Sequence, residues 1–408
     1  MNSSPSKWVV AQLGARMHYA VPQILSLAGV LGALVTDFYR DQNLQAIEGI
    51  LPARFRNKMK RYYCSSIDHD AVYAANVRSA LSAARRLVPP KQVAYQNWNE
   101  REARFLSKRI AKNRFDEQFG SVYGFDTASL EIFREWKGHG QKVLEQCVAP
   151  RSEQQAVYDI QCKMRSIVKD VLHEAHLERQ AIRETAEWRL ADKILVPSEY
   201  VSSCMPQAEE IRKKIVVVPY GAAMPSEESY IDACKSRLQN CNNPVTFLFA
   251  GKFGLRKGAF ELIHAAEILG EAVSIEIAGH VDAEFLASRP SNLRFLGHLT
   301  REELNQAFGR ANVFVLPSWL EGSATVIYEA MGWGIPVVTT ASSGSVVANG
   351  VDGILVKRGD GEELAQAMRT LTADQSLREA LGKNAREKSQ DYTVGRYGER
   401  LLSAIEGS

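Results

Sequence analysis

The sequence predicts an α/β protein with two domains, each built on a doubly wound parallel sheet, that face one another across a cleft. Three observations lead to this prediction. The chain has 408 residues, enough for two domains that each bury a core. Short apolar runs alternate with amphipathic segments, most regularly from Val245 onward. The connections between these segments are short, which indicates right-handed crossovers and parallel strands.

The second half carries this alternation in clear order. We predict its strands at residues 245–250, 274–278, 293–296, 313–316, 336–339 and 353–356. Its helices are predicted at residues 259–269, 301–308, 324–331, 361–371 and 394–405. In such Rossmann-like sheets, ligands bind beyond the carboxyl ends of the strands, so that edge is where functional residues are expected.

The first half is less regular. We predict strands at residues 8–13, 33–37, 142–145, 193–196 and 214–218, and helices at residues 154–190. A helix is also predicted from the Gly14 turn through Leu31, and helical patterns dominate from Ala71 to Gly138. Residues 219–244 contain proline and serine and are predicted as a domain junction. The domains are therefore predicted as residues 1–221 and 222–392.

Composition excludes several classes of protein. Hydrophobic residues make up 45% and charged residues 24%, as in ordinary globular proteins. The most apolar N-terminal window, residues 20–35, is too short to span a membrane and lacks the flanks of a signal peptide. The six cysteines form no C-x2-C pair, so neither a zinc site nor a disulfide framework is expected. We therefore expect a cytoplasmic protein.

Charge is distributed unevenly along the chain. The net charge is +8 for residues 1–221 and −5 for residues 222–408. The basic half includes a segment in which cations alternate with apolar residues: Arg54, Phe55, Arg56, Lys58, Met59, Lys60, Arg61, Tyr62 and Tyr63. Such a segment suits either an anionic membrane surface, with the protein peripheral to its inner face, or a solvated helix face. No nucleic-acid module accompanies the charge, so no nucleic-acid partner is expected.

The stretch from Pro317 to Val338 carries the strongest functional signal. A buried strand is predicted to end at Leu316, and a helix to begin after Gly322, Ser323, Ala324 and Thr325. The turn would point backbone N–H groups and the positive end of the helix dipole beyond the sheet edge, which is an anion-binding geometry. Glu321 and Glu329 flank this turn and can hold opposite ends of one extended ligand, such as a nucleotide sugar.

A second constellation lies in the glycine-rich loop after the strand at 245–250. Gly251 and two later glycines permit tight backbone turns, while Lys252 and Lys257 bring two ammonium groups to the same strand end. Fixed cations aimed at a departing diphosphate would lower the barrier to its release. Without other context the loop could be an ordinary exposed basic turn.

Together these motifs resemble the signature of retaining family 4 glycosyltransferases. The resemblance is carried by Pro317-Ser318, Glu321-Gly322, Glu329-Ala330-Met331 and Gly334 to Val338, with Gly251-Lys252 and Arg256-Lys257-Gly258. The family has the GT-B fold of two Rossmann-like domains. Its terminal helix, here residues 393–408, crosses back to complete the first domain. A lysine at 252, where arginine is commoner, binds phosphate without bidentate geometry.

The resemblance implies a role for each of these residues. Glu321 would contact the hydroxyls of the donor sugar, Ser323 to Thr325 the diphosphate, and Glu329 the ribose. Gly297, His298 and Leu299 would lie against the base, and Gly14 near the transferring sugar. Lys252, Lys257 and Arg256 would hold the leaving diphosphate. No metal and no further cofactor is implied. The acceptor would be a glycan or a lipid-linked glycan, bound by the first domain.

Two points stay open at this stage. Many family members place a histidine at the reaction centre after the strand that ends here at Glu145, whereas this chain has Gln146 and Cys147. Gln146, His18 or His139 could take that place. Two other functions also fit: a nucleotide-sugar 2-epimerase of the same architecture, and a non-catalytic subunit of a polysaccharide-assembly complex. Asp68-His69-Asp70 has the D-x-D pattern of metal-dependent transferases, and we predict a helix cap there instead.

Overall fold

The structure is a computed structural model that describes residues 7–41, 44, 56, 59–76, 98–239, 244–286 and 289–407. Arg54, Phe55, Lys58 and residues 77–97 of the predicted helical stretch from Ala71 to Gly138 lie outside the described residues, as does Cys241. Among the described residues, no helix has the length and apolar character that a membrane span requires.

Among the described residues, seven parallel strands form the first sheet, in the spatial order β3-β2-β1-β4-β5-β6-β7. The strands are β1 (Trp8–Gln12), β2 (Leu31–Thr36), β3 (Val72–Ala74), β4 (Ser121–Phe125), β5 (Lys142–Glu145), β6 (Lys193–Val196) and β7 (Ile215–Val217). Strands β1 and β4 are buried at every position, as expected for a sheet covered by helices on both faces.

In the described part of the second domain, six parallel strands form a sheet in the order β10-β9-β8-β11-β12-β13. They are β8 (Val245–Ala250), β9 (Val273–Ala278), β10 (Leu293–Gly297), β11 (Val313–Leu316), β12 (Val337–Thr340) and β13 (Gly353–Val356). In both sheets the order reverses beside the first strand, and this switch point opens a crevice at the carboxyl edge.

The helices of the described first domain cover both faces of its sheet. They are α1 (Ala20–Leu27), α2 (Trp98–Lys112), α3 (Phe115–Gln118), α4 (Leu130–Glu135), α5 (Arg151–Arg165), α6 (Val171–Leu190), α7 (Glu199–Cys204) and α8 (Glu209–Arg212). Those that follow are α9 (Glu227–Gln239), α10 (Ala259–Leu269), α11 (Arg301–Arg310), α12 (Thr325–Gly332), α13 (Gly361–Ala373), α14 (Gln375–Ser389) and α15 (Val394–Glu406).

Two expectations from sequence are wrong in detail. The stretch from Ala71 to Gly138 is not uniformly helical, because it contributes β3 at the sheet edge and β4 at its centre. The first helix ends at Leu27 rather than Leu31, and Leu31 begins β2. Residues 219–244, predicted as a domain junction, include α9, whose Ala233 is buried with the core of the second domain, and the division at residues 221 and 222 stays a prediction.

The last helix, α15, packs against the first domain. Gly398 lies against Ile24 of α1, and the Tyr397 ring meets the Tyr220 ring edge-on, with centroids 5.6 Å apart. The Lys193 ammonium at the start of β6 donates to the Ala404 carbonyl at 2.7 Å, close to the negative end of the α15 dipole. The final segment therefore contributes core to the sheet that begins at residue 8.

Candidate functional site

The loop after β8 brings basic side chains to the carboxyl edge of the second sheet. Gly251 has φ 140°, a conformation open to glycine, and the Lys257 side chain folds directly over its Cα. Gly258 has φ 76°, and a Cβ there would lie 2.2 Å from the Pro317 carbonyl oxygen. Glycine at these positions therefore lets the β8 loop pack against the β11 loop, which is where the two predicted motifs meet.

Glu321 joins the two motifs through ion pairs. Its Oε1 lies 2.9 Å from Lys257 Nζ, and its Oε2 lies 3.2 Å from Arg256 Nη1. The Lys257 and Glu321 side chains are only 13% and 12% exposed, so this pair is screened less by solvent than the Arg256 pair. Lys252 is more exposed and pairs with Asp282 at 2.9 Å. The predicted cations thus lie together, each already held by a carboxylate.

The segment that follows Glu321 leads directly into α12. Glu321 N–H and Ala324 N–H donate to the carbonyls of Ser342 and Ser343, and the Ser323 hydroxyl bonds the Tyr328 hydroxyl at 2.7 Å. These contacts fix the Gly322 to Thr325 turn against the loop after β12. The first turn of α12 then presents backbone N–H groups at the sheet edge.

Side-chain caps distinguish the helices of this domain. Thr300, Asp360 and Asp374 cap α11, α13 and α14 through side-chain oxygens. By contrast, the N-cap residues of α10 and α12 are Gly258 and Ala324, and neither provides a side-chain cap. The two helices that start beside the Lys257–Glu321 pair therefore keep N-terminal amides available for an anion.

Glu329 lies near the opposite end of this edge. It occupies the second turn of α12 and pairs with Arg301 Nη1 at 2.9 Å, at the start of α11. Burial raises the pKa of Glu329, and the Arg301 pair opposes that shift. Gly297 ends β10 with φ 69°, and His298 beyond it is exposed while Leu299 packs on the core. The structure thus separates Glu321, on the β8 side, from Glu329, on the β10 side.

The first domain meets this edge at its own strand ends. A Cβ on Gly322 would lie 1.8 Å from the Cys147 carbonyl oxygen, so the two backbones touch. Ser198, which caps α7, donates to the Gly322 carbonyl at 2.6 Å. Gln161 of α5 donates to the Leu255 carbonyl in the β8 loop at 2.9 Å. The predicted cleft is therefore narrow at Gly322 and bounded by polar contacts on both sides.

A buried cluster at the end of β5 was not predicted from sequence. Tyr123 and Tyr220 donate to the two carboxylate oxygens of Glu145 at 2.5 and 2.6 Å. Burial raises the pKa of Glu145, and burial also raises the pKa of the adjacent Cys147 thiol. Arg16 Nη1 donates to Cys147 Sγ at 2.8 Å. The Gly14-Ala15-Arg16 turn was a weak signal for this cluster, since it follows β1 directly.

Gln146 does not face the cleft. Its side chain is fully buried and donates to Glu184 at 2.7 Å, while Trp188 Nε1 donates to its amide oxygen at 2.9 Å. His139 lies in the turn before β5, at the opposite sheet edge, and His18 is exposed in the loop after β1. Of the residues weighed for the missing histidine's place, only His18 lies on the cleft edge, and Cys147 with Arg16 occupies the position beside Gly322.

The loop after β1 has unusual backbone geometry. Gly14 has φ 70°, and its N–H donates to Asp37 Oδ1 at 2.7 Å. Met17, His18 and Tyr19 have φ 44°, 55° and 64°, a left-handed run of three residues that are not glycine. Each such residue costs on the order of 1 kcal/mol, and strain of this kind persists where surrounding contacts impose it.

Two other predicted features lie partly among the described residues. Asp68 accepts a hydrogen bond from Asp70 N–H and caps a short 3-10 turn, His69–Ala71, which leads into β3. In the part of the chain that the structure describes, no three His, Cys, Asp or Glu residues group closely enough to hold a metal ion. In the basic segment, the Tyr62 ring packs on Phe38, and Lys60 and Arg61 are exposed.

Part of the chain matches a known family model and several known proteins. Residues 233–388 match the family model described as glycosyl transferases group 1. Over 197 residues the chain is 27% identical to the capsular polysaccharide biosynthesis glycosyltransferase CapM of Staphylococcus aureus, covering 44% of this chain and 51% of CapM. It is 39% identical over 103 residues to the sulfoquinovosyl transferase SQD2 of Arabidopsis thaliana, covering 24% of this chain and 20% of SQD2. The chain thus spans about half the length of CapM and less of SQD2.

Solved structures resemble the whole chain. Anabaena HepE, in complex with UDP and glucose, matches with a TM-score of 0.64 at 15% identity, covering 99% of this chain and all of that one. The sucrose-phosphate synthase of Thermosynechococcus elongatus matches with a TM-score of 0.65 at 17% identity, covering 98% of both chains. These likenesses confirm the predicted α/β GT-B fold of two Rossmann-like domains.

Proposed function

We propose that this chain is a glycosyltransferase that moves a sugar from a nucleoside-diphosphate sugar to a hydroxyl group of a glycan or lipid-linked glycan. The family match of the second domain supports the reaction class. One observation carries the proposal: the uncapped starts of α10 and α12 lie beside the Lys257–Glu321 pair and opposite Cys147 of the other domain. Anions bind at such helix starts.

The donor would extend along the carboxyl edge of the second sheet. Its diphosphate would lie at the starts of α10 and α12, within reach of Lys252 and Lys257, and its ribose hydroxyls would bond Glu329. The sugar would lie beside Glu321, where the two domains touch at Gly322. HepE is described in complex with UDP and glucose, which supports a nucleotide-sugar donor for this chain.

The reaction we propose retains the configuration of the sugar and needs no metal. The bond from the anomeric carbon to the donor phosphate oxygen breaks, and a bond to the acceptor oxygen forms on the same face. The acceptor proton passes to the departing phosphate. Glu321 is bound by two cations, so its carboxylate orients the sugar and is a poor nucleophile. Lys252 and Lys257 stabilise the charge that develops on the diphosphate.

The proposal is tested first by binding. Thermal unfolding is measured with uridine, guanosine, adenosine and thymidine diphosphates, because a ligand that binds the native state raises Tm. We expect one nucleotide to give the largest shift. Lys257→Ala and Glu329→Ala should remove most of that shift, whereas the exposed Lys163→Ala on α5 should keep it. Absence of any shift in the wild type, or an unchanged shift in both site variants, contradicts the proposed donor site.

Product analysis then tests the reaction. The donor identified by binding is incubated with membrane and glycan fractions as acceptors, and released nucleoside diphosphate is measured together with the glycosylated product. We expect the product to keep the donor's anomeric configuration and the rate to persist in EDTA. Conversion into a second nucleotide sugar without release of nucleoside diphosphate would identify a 2-epimerase instead.

A further inference from the structure

The cations of the second domain are largely neutralised before any donor binds. Lys252 is paired with Asp282, Arg256 and Lys257 share Glu321, and Arg301 is paired with Glu329. Four cations therefore face three carboxylates, which leaves a single net positive charge along this edge. The sum covers these seven side chains, all of which lie among the described residues.

A nucleoside-diphosphate sugar carries a negative charge on each of its phosphates. A further negative charge develops on the leaving phosphate oxygen as its bond to the sugar breaks, and stabilising this charge lowers the barrier to the reaction. The single net positive charge of this edge is smaller than the negative charge of the two donor phosphates. A further cation that reaches the diphosphate would supply what is missing, and the first domain is the nearest source.

Among the described residues of the first domain, Arg16 contacts the segment that touches the turn before α12. Its Nη1 bonds Cys147 Sγ, and the Cys147 carbonyl touches Gly322, the residue between Glu321 and the start of α12. The guanidinium lies over the Phe125 ring at 5.1 Å from the centroid, which fixes its plane. Two residue contacts therefore link Arg16 to the anion-binding turn.

Arg16 is also incompletely used by its own domain. Asp126 divides its carboxylate between Arg16, at 3.5 Å, and Arg151, at 3.0 Å. The hydrogen bond that Arg16 makes among the described residues uses Nη1 alone, so Nε and Nη2 have no hydrogen-bond partner there. The side chain is 33% exposed. A guanidinium with free N–H groups in a fixed plane is suited to phosphate oxygens.

The backbone holds Arg16 in this place. The left-handed run of Met17 to Tyr19 follows it directly, and the buried Tyr19 hydroxyl donates to the Phe38 carbonyl at 2.5 Å. Tyr19 thereby anchors the strained turn to the core. The loop after β1 is thus shaped and fixed at considerable cost, with Arg16 at its cleft end.

We propose that Arg16 binds the diphosphate of the donor from the first domain. This inference rests on the proposed function, since it takes the nucleotide sugar as ligand. A donor held by Lys257 on one side and Arg16 on the other bridges both domains. The diphosphate then promotes closure, and the same guanidinium stabilises the leaving group. Arg16 therefore acts on donor affinity and on turnover together.

The test compares nucleoside diphosphate with nucleoside monophosphate, using the base that the thermal panel selects. Dissociation constants are measured by calorimetry for wild type, Arg16→Gln, Arg16→Lys and the charge control Lys163→Gln, in EDTA and in Mg²⁺. We expect Arg16→Gln to weaken diphosphate binding about 10-fold to 100-fold and monophosphate binding less than about 3-fold. Arg16→Lys should restore part of the loss, and Lys163→Gln should change neither constant.

Several outcomes would overturn the inference. Equal losses for both nucleotides, no loss for either, or a fall in turnover with unchanged diphosphate affinity would each place Arg16 elsewhere in the reaction. Loss of the Arg16 effect in Mg²⁺ would mean that a metal supplies the missing charge. If Arg16→Gln does not fold, Arg16→Lys keeps the charge and still predicts weakened diphosphate binding. Failure of wild type or of Lys257→Ala to behave as expected contradicts the donor site itself, which separates the two hypotheses.

Discussion

Gly322 offers the sharpest test of how the two domains meet. A Cβ at this position would lie 1.8 Å from the Cys147 carbonyl oxygen and 3.2 Å from Val148 Cα. Both atoms belong to the backbone of the other domain, so no side-chain rotation relieves the clash. A carbon and an oxygen in contact need about 3.3 Å. Gly322→Ala therefore forces the domains apart by about 1.5 Å at this point.

The displacement sets the size of the expected effect. Misplacing reacting groups by about 1 Å costs roughly 100-fold in rate. We therefore expect kcat/KM to fall at least about 100-fold in Gly322→Ala. Overpacking of this kind costs about 1–3 kcal/mol of stability, which lowers Tm by several degrees and leaves the protein folded. Nucleotide affinity should fall less than turnover, because Lys257 and Glu329 stay in place.

A matched glycine gives the control. A Cβ on Gly309, inside α11, would meet its nearest neighbours at 3.7 and 3.8 Å, which is ordinary contact. Gly309→Ala should keep full activity and gain about 0.5–1 kcal/mol of stability. The assay is release of nucleoside diphosphate from the donor identified by binding, with thermal unfolding alongside. Wild-type turnover in Gly322→Ala would refute the reasoning, since the contact would then not belong to the reacting arrangement.

Three further predictions concern other parts of the molecule. Burial raises the pKa of Glu184 to about 7, against the opposing charge of Arg151. The native protein therefore holds this proton more tightly than the unfolded chain, and the free energy of unfolding should fall by up to about 3 kcal/mol as pH rises from about 4.5 to above 7. Urea unfolding of Glu184→Gln should show a smaller fall over this range. A pH profile equal to that of the wild type would contradict the raised pKa of Glu184. Gly258→Ala should lower Tm and weaken nucleotide binding, because its φ is positive and a Cβ would lie 2.2 Å from the Pro317 carbonyl oxygen; a wild-type Tm would exclude this geometry. Lys60 and Arg61 are exposed, so we predict that the protein floats with anionic liposomes and that salt weakens this association. Changing both residues to glutamine should abolish the flotation. Flotation that this double change leaves unaffected would assign any membrane contact to another surface.

The second domain could be predicted closely because its strands are mostly apolar and its connections are short. Val313–Leu316 is buried at every position and Val245–Ala250 is buried from Phe247 onward, and glycines or prolines mark their ends. The central strand β4 escaped prediction for the opposite reason. Its sequence SVYGF contains serine and glycine, and Gly124 is required because a Cβ would lie 2.2 Å from Ser129 Oγ. Tertiary packing, rather than strand propensity, decides this segment.

The candidate site likewise contains some contacts that local sequence predicts and others that only the folded chain brings together. Glu321 and the turn into α12 are adjacent in sequence, so the sequence alone predicted that they lie side by side. The Arg16–Cys147 contact joins residues 131 positions apart, which no local pattern reveals. Gln146 is removed from the cleft by Glu184 and Trp188, 38 and 42 positions later. The left-handed run at Met17 also had no sequence marker, because glycine is the usual sign of such a turn.

The return of α15 to the first domain has a consequence for biosynthesis. Tyr397 and Ile405 are buried, and Arg400 donates to the Pro219 carbonyl at 3.0 Å. Ribosomes release these residues after the entire second sheet has emerged. The N-terminal sheet therefore waits, with apolar surface uncovered, until translation has passed residue 400. Chains that stall earlier lack this cover and become substrates for chaperones and proteases.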